Sequence, residues 1–128
     1  MKTVMANGCF DVFHYGHLAH LQAARALGDR LIVALTADEF VGKGPGRPVF
    51  KEAQREAVLR ALRCVDDVII SRAPTPYALI EKIRPDVYAK GKEYFGRLPE
   101  QALIESYGAK VVFTDTVVFS STALLGWL

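Results

Sequence analysis

Short apolar runs and amphipathic helical stretches alternate from one end of this chain to the other, and that alternation admits few folds. Lys2–Ala6, Arg30–Leu35, Asp67–Ser71, Asp86–Ala89 and Lys110–Phe113 read as strands, each a brief apolar run bounded by turn-forming or charged residues. Between the first two, His17–Leu27 sets Leu18, Leu21, Ala24 and Leu27 at helical spacing and stops at Gly28. Lys51–Cys64 reads as a helix, with Ala53, Val58, Leu59 and Leu62 apolar and Arg55, Glu56, Arg60 and Arg63 polar. Thr75–Ile83 has Pro76 at its start, where a missing N–H costs nothing, and Leu98–Ser106 is the last helix. Gly42–Pro48 (GKGPGRP) has a glycine or proline at five of seven positions and must be a loop. The expected architecture is α/β and Rossmann-like, with three layers: a five-stranded parallel sheet, helices on both faces and right-handed crossovers. With no internal repeat, low-complexity tract or linker, residues 1–128 read as a single domain.

Composition narrows the function. Hydrophobic residues make up 51% of the chain, enough for one well-formed core. Sixteen Lys and Arg against fourteen Asp and Glu leave a net charge of +2, which argues against nucleic acid or an anionic membrane as partner. Apolar runs such as Leu31–Leu35 are far too short to span a bilayer. The N-terminal residues show no signal-peptide core, and Cys9 and Cys64 form no CxxC. These features predict a cytoplasmic protein with free thiols.

In a parallel sheet, ligands bind at the carboxyl ends of strands where the strand order reverses, and the first strand is the natural place for that reversal. The turn after it reads Asn7-Gly8-Cys9-Phe10-Asp11-Val12-Phe13-His14-Tyr15-Gly16-His17 and leads into a helix. Gly8 lets the backbone turn without a Cβ in the way. The helix start directs free N–H groups and a positive dipole end at the turn, which suits a phosphate. His14 and His17 are three residues apart, so both rings can face one ligand.

The segment GCFDVFHYGH resembles the HxGH signature of the cytidylyltransferase-like nucleotidylyltransferases, with that superfamily's Gly-x-Phe-Asp turn before it. Asn7–Asp11, Leu27–Val33, Gly46-Arg47-Pro48-Val49, Ala61–Asp66, Arg84-Pro85-Asp86 and Lys90-Gly91 resemble heptose-1-phosphate adenylyltransferases. Asp38-Glu39-Phe40, and its spacing to Arg55, resembles glycerol-3-phosphate cytidylyltransferases. Phe119-Ser120-Ser121-Thr122 stands where the superfamily has a phosphate-binding turn. The chain also departs from the heptose pattern. Lys90-Gly91-Lys92-Glu93-Tyr94 replaces Lys-Gly-Gly-Asp-Tyr and adds a cation at Lys92. The second strand ends in Ala34–Asp38 where the heptose group has Val-Asn-Ser-Asp.

The resemblance implies that a phosphorylated small molecule attacks the α-phosphate of ATP or CTP in line and releases pyrophosphate. The attacking oxygen is already anionic, so catalysis reduces to positioning and to neutralising charge on the transferred phosphoryl group. His14 and His17 are the implied donors, Gly16 leaves room between them, and Lys43 is the third catalytic candidate. Gly8, Cys9, Phe10, Asp11, Gly16, Lys90, Gly91, Ser120, Ser121 and Thr122 would line the nucleotide site. Within that set, Asp11 would hold the turn and Lys90-Gly91 would meet the base through backbone contacts. Arg47 and Arg55 would meet the substrate phosphate. Mg²⁺ is expected with the triphosphate, bound through phosphate oxygens and water. A sugar phosphate as acceptor is favoured, with a CDP-polyol product as the alternative. A homodimer is implied by the family and by the apolar residues near the C-terminus, Phe119, Leu124, Leu125 and Trp127.

Rival readings rest on the same residues. A zinc site from His14, His17 and His20 is disfavoured, because helical spacing turns the outer two about 120° apart and no Cys or carboxylate stands at ligand spacing. No metal site is therefore expected. His20 reads as a packed or surface histidine, and Cys9 as a bystander in the phosphate turn rather than a nucleophile. Gly42–Gly46 lacks the GK[ST] of a P-loop. A non-catalytic nucleotide-binding module with the same fold is the reading from another class. In a third, this chain is one half of what is elsewhere a fused enzyme, supplied by a separate kinase.

Overall fold

The computed structural model describes residues 1–115. Five strands form one parallel sheet: β1 (Thr3–Gly8), β2 (Arg30–Thr36), β3 (Asp67–Ser71), β4 (Val87–Gly91) and β5 (Lys110–Thr114). Their spatial order is β3-β2-β1-β4-β5, so the order reverses at β1, which pairs with β2 on one side and β4 on the other. Four helices connect them: α1 (Tyr15–Arg25), α2 (Glu52–Arg60), α3 (Tyr77–Ile83) and α4 (Gln101–Ser106). Two single-turn 3₁₀ segments, Asp38–Phe40 and Lys92–Tyr94, follow β2 and β4. Among the described residues no helix is long and apolar enough to cross a membrane.

The strands alternate their side chains between two cores, as a period of two requires. Val4, Ala6, Leu31, Val33, Leu35, Val87 and Ala89 face Leu21 and Ala24 of α1 and Leu59 of α2. Met5, Ala34 and Tyr88 point the other way, into a second core with Ile80 of α3 and Ile104 of α4. Burial on both faces is why β2 runs through five successive buried residues with no polar break. The expected three-layer architecture is therefore the observed one.

Element boundaries differ for identifiable reasons. β1 continues past Ala6 because Asn7 and Gly8 still pair with Ala34 and Leu35 of β2. α1 starts at Tyr15 instead of His17, because His14 caps it and the Gly16 N–H donates to that cap. α2 closes at Arg60, and residues 61–65 continue only as short-range turns, Leu62 N to Leu59 O and Val65 N to Leu62 O.

Gly28 was expected to stop α1, yet the helix already ends at Arg25. Gly28 instead lets the connection to β2 cross β1. A Cβ there would lie 2.8 Å from both the Lys2 carbonyl oxygen and Val4 Cγ2. Val4 is in β1, and the Lys2 carbonyl just before it accepts from the Asp29 and Arg30 N–H groups, so both have little freedom to retreat. Gly28→Ala is expected to cost about 1–3 kcal/mol, the range for overpacking a well-packed site. Urea unfolding of the variant against wild type measures it.

Candidate active site

The site forms where β1 ends at the reversal of strand order. His14 is the N-cap of α1 in extended conformation. Its Nδ1 accepts from the Gly16 N–H at 3.0 Å, and its own N–H donates to His17 Nδ1 at 3.3 Å. The two residues thus cap the helix reciprocally, in the manner of a capping box built from imidazoles. A neutral imidazole whose Nδ1 accepts carries its proton on Nε2. The cap therefore makes both rings Nε2–H donors, stacked with centroids 3.9 Å apart. Phe10 and Phe13 pack against His17 at 5.5 and 5.3 Å between centroids. Burial, and then the electrostatic influence of His14, Lys43 and His20, bring the His17 pKa down to about 4.

Asp11 is fully buried beside this cap. Its Oδ2 accepts from the Val49 N–H at 2.7 Å and from Arg47 Nε at 2.8 Å, and its Oδ1 accepts from the Phe50 N–H at 3.0 Å. Burial pushes its pKa up. The hydrogen bonds from Phe50, Val49 and Arg47, with the Arg47 charge, outweigh that and hold it below the usual carboxylate value. The carboxylate thus ties the Gly42–Phe50 loop down onto the turn. Arg47, expected at the substrate phosphate, lies on that loop with its guanidinium against Asp11 and its side chain 6% exposed. Lys43 is exposed on the same loop, close enough for its charge to act on His17.

Arg55 was also expected at the substrate phosphate, reaching out from its helix, but the structure turns it inward. Its Nε donates to the Phe50 carbonyl, NH1 to the Cys9 and Thr36 carbonyls, and NH2 to Asp38 Oδ1, all at 2.8–2.9 Å. Only 1% of the side chain is exposed. Asp38 and Glu52 reinforce the arrangement, each accepting the other's backbone N–H on its carboxylate. One guanidinium therefore joins the β1 turn, the end of β2 and the start of α2.

On the other side of β1, Lys90 Nζ donates to the Asn7 carbonyl at 2.9 Å and lies 4.6 Å from the Tyr94 ring centroid. Burial lowers its pKa, while Glu100, Cys9 and Glu93 pull the other way. Beneath it, the Tyr88 hydroxyl donates to Glu100 Oε2 at 2.7 Å inside the core, and the Asn7 side chain hydrogen-bonds the same hydroxyl. Burial, with the Glu100 charge, pushes the Tyr88 pKa well up, so the phenol stays protonated.

The structure thus brings together Gly8, Cys9, Phe10, Asp11, His14, Gly16, His17, Lys43, Arg47, Lys90 and Gly91 around the ends of β1 and β4. Ser120, Ser121 and Thr122, and the apolar residues behind the dimer expectation, lie outside the described residues. Among the described residues no group of three or more His, Cys, Asp or Glu is placed to hold a metal ion. With Asp11 already accepting three hydrogen bonds, the donors around the turn are imidazole N–H groups and cations. That chemistry suits Mg²⁺ arriving on a triphosphate rather than held in a protein cage. Sequence reading noted Asp38 and its spacing to Arg55 but not their pairing, and it missed Tyr88, Glu100 and Glu52. A buried Tyr–Glu pair twelve residues apart across a loop leaves no local pattern to find.

Comparisons with known proteins agree with this geometry. The profile of the cytidylyltransferase-like family matches residues 5–122. The "Bifunctional protein HldE" of Streptomyces coelicolor is 49% identical over 127 residues, which is 96% of this chain and 27% of that protein. The protein of the same name from Methylobacillus flagellatus is 46% identical over 125 residues, 95% of this chain and 26% of its own length. The chain thus spans about a quarter of these relatives. The crystal structure of the lipopolysaccharide core biosynthesis protein from Thermoplasma volcanium superposes with a TM-score of 0.77 at 30% identity, covering 92% of this chain and 99% of that one.

Two outcomes follow from the site. Arg55→Leu strands Asp38 and three carbonyls, and is expected to cost on the order of 3 kcal/mol in denaturant unfolding. His17 and His20 both titrate at about 4 in the fold against 6.5 ordinarily, so between those values the unfolded chain binds more protons. Stability from this source is complete above pH 6.5 and declines as pH falls towards 4. Asp11, held below its usual value, adds a further loss in acid. Urea midpoints at pH 7 and pH 5 give the comparison.

Proposed function

The chain belongs to the cytidylyltransferase-like family of nucleotidyltransferases, and we propose that it joins the adenylyl group of ATP to a sugar phosphate of the heptose-1-phosphate type. A phosphate oxygen of the acceptor attacks the α-phosphorus. The bond from that phosphorus to the bridging oxygen breaks, and the electron pair leaves with pyrophosphate. Charge builds on the α-phosphate oxygens and on the leaving group, and no proton needs to be removed from the nucleophile.

The observation that carries this reading is the reciprocal cap. It fixes two imidazoles as neutral Nε2–H donors at the start of a helix, at the carboxyl end of the central strand. Such donors are preorganised and need no rearrangement as charge develops. His17 keeps its donor at neutral pH because it is far from its protonation point. In this reading Lys43 neutralises the phosphates from the loop above. Arg47 lies at the junction of loop and turn, where the acceptor phosphate would approach. Arg55 is a positioning residue rather than a phosphate ligand, since its guanidinium is engaged inside the protein. Mg²⁺ enters with the triphosphate and adds charge neutralisation there.

The choice of ATP and a sugar phosphate is supported by the stretches resembling heptose-1-phosphate adenylyltransferases. It is also supported by relatives named HldE at 42–49% identity. Those relatives are named bifunctional and are about four times the length matched here. In the proposed scheme a separate kinase activity makes the phosphorylated acceptor that this chain consumes.

The test is pyrophosphate release with ATP, CTP, GTP and UTP, each against a panel of sugar-1-phosphates and polyol phosphates with Mg²⁺. Release with ATP and a sugar-1-phosphate is expected. His17→Ala should lower the rate about 100- to 1,000-fold, the usual loss on removing one such donor. A signal confined to CTP and a polyol phosphate selects the cytidylyl alternative. Tight triphosphate binding without release from any pair selects a non-catalytic binding module.

A further inference from the structure

His20 lies one helical turn beyond His17 and takes no part in the reciprocal cap. Its Nδ1 is 2.7 Å from the Thr114 hydroxyl at the end of β5. That hydroxyl donates to the Lys90 carbonyl at 3.4 Å, at the end of β4. Lys90 is held a second time through its ammonium, which donates to the Asn7 carbonyl on β1. One imidazole, one hydroxyl and one lysine thus link α1 to the carboxyl ends of β5, β4 and β1. We propose that His20 is a positioning residue for nucleotide binding: through Thr114 it holds the Lys90–Gly91 backbone at a set distance from the Nε2–H groups of His14 and His17.

The proposal rests on the nucleotidyl-transfer reading, in which one part of the nucleotide meets Lys90–Gly91 and its phosphates meet α1. In this proposal the hydroxyl gives its one proton to the Lys90 carbonyl, which assigns His20 Nδ1–H as the donor to Thr114. His20 therefore holds the opposite tautomer to His14 and His17. Burial keeps it neutral, assisted by the nearby Lys90 charge and opposed by Glu93, with a pKa of about 4. Because its contact is to Thr114, His20 acts through that hydroxyl and not on the phosphates. Loosening the link should weaken nucleotide binding and leave the chemical step nearly unchanged.

The experiment compares wild type with His20→Leu, His20→Asn, Thr114→Val and the double variant His20→Leu with Thr114→Val. Asn can place an amide N–H near the position of Nδ1. KM and kcat come from pyrophosphate release, and Kd for ATP and CTP from calorimetry. His20→Leu and Thr114→Val are each expected to raise KM and Kd about tenfold, the worth of one neutral hydrogen bond, with kcat within about threefold. His20→Asn should recover most of the affinity. The double variant should be no worse than either single one, because both break the same link. Nitrogen-15 NMR of wild type should show His20 as Nδ1–H and the other two histidines as Nε2–H. A fall in kcat at constant KM, no change in either variant, additive losses in the double variant, or an Nε2–H tautomer at His20 overturns the proposal. If wild type neither binds a triphosphate nor releases pyrophosphate, the function reading fails instead, and the tautomer measurement still judges the link.

Discussion

The site depends on one buried carboxylate. Asp11 lies in a turn whose backbone is unfavourable by itself: Phe10 and Val12 both have positive φ, at 49° and 51°. Such conformations cost on the order of 1–3 kcal/mol each outside glycine. The turn persists because Phe10 is buried in the core beneath it and Asp11 takes three hydrogen bonds from a loop nearly forty residues downstream. The constraint runs both ways. The loop carrying Lys43 and Arg47 is seated on the turn by the same bonds that hold the turn in shape. Arg55 then locks α2 to the same backbone through the Cys9 carbonyl. Turn, loop and helix are thus bonded into one unit, and the catalytic candidates are displayed on it.

A second theme is the sign and protonation of the groups around the carboxyl end of β1. Cations cluster near the end of β1, and each raises the cost of placing another. His17 and His20 respond by staying neutral. His17 keeps its Nε2–H because its Nδ1 accepts from the His14 backbone N–H, whereas His20 Nδ1 is engaged with the Thr114 hydroxyl. The permanent charge is left to Lys43, Arg47 and Lys90, of which Lys90 lies between β1 and an aromatic ring. In the proposed reaction His14 and His17 would aim hydrogen bonds while the lysines and arginine supply the field.

Much of this was legible in the chain itself. The α/β alternation, the reversal at the first strand and the meeting of Gly8, His14 and His17 at one turn follow from patterns within about a dozen residues. Asp11 was read as a turn-holding residue, and the structure shows what it holds. Arg55 marks where local reading stops. By residue type it groups with Arg60 and Arg63, although its i, i+4, i+7 spacing to Leu59 and Leu62 sets it on the apolar face, and the resemblance placed it at a phosphate. Its burial comes from three carbonyls that converge from residues 9, 36 and 50. His20 is the same kind of case, because its partner is ninety-four residues away.

The layers, the five-stranded sheet and the placement of a candidate site after the first strand could all be read from the chain. These follow from periodicity, glycine placement and helix-start chemistry, all short-range properties of a chain. Only the folded chain shows which charged residues are consumed in holding the candidate site together, Arg55 above all. It also holds His17 and His20 neutral at pH 7. The physical reason is that burial and hydrogen-bond partnership depend on segments distant in sequence, and desolvation acts only once they have closed around a side chain.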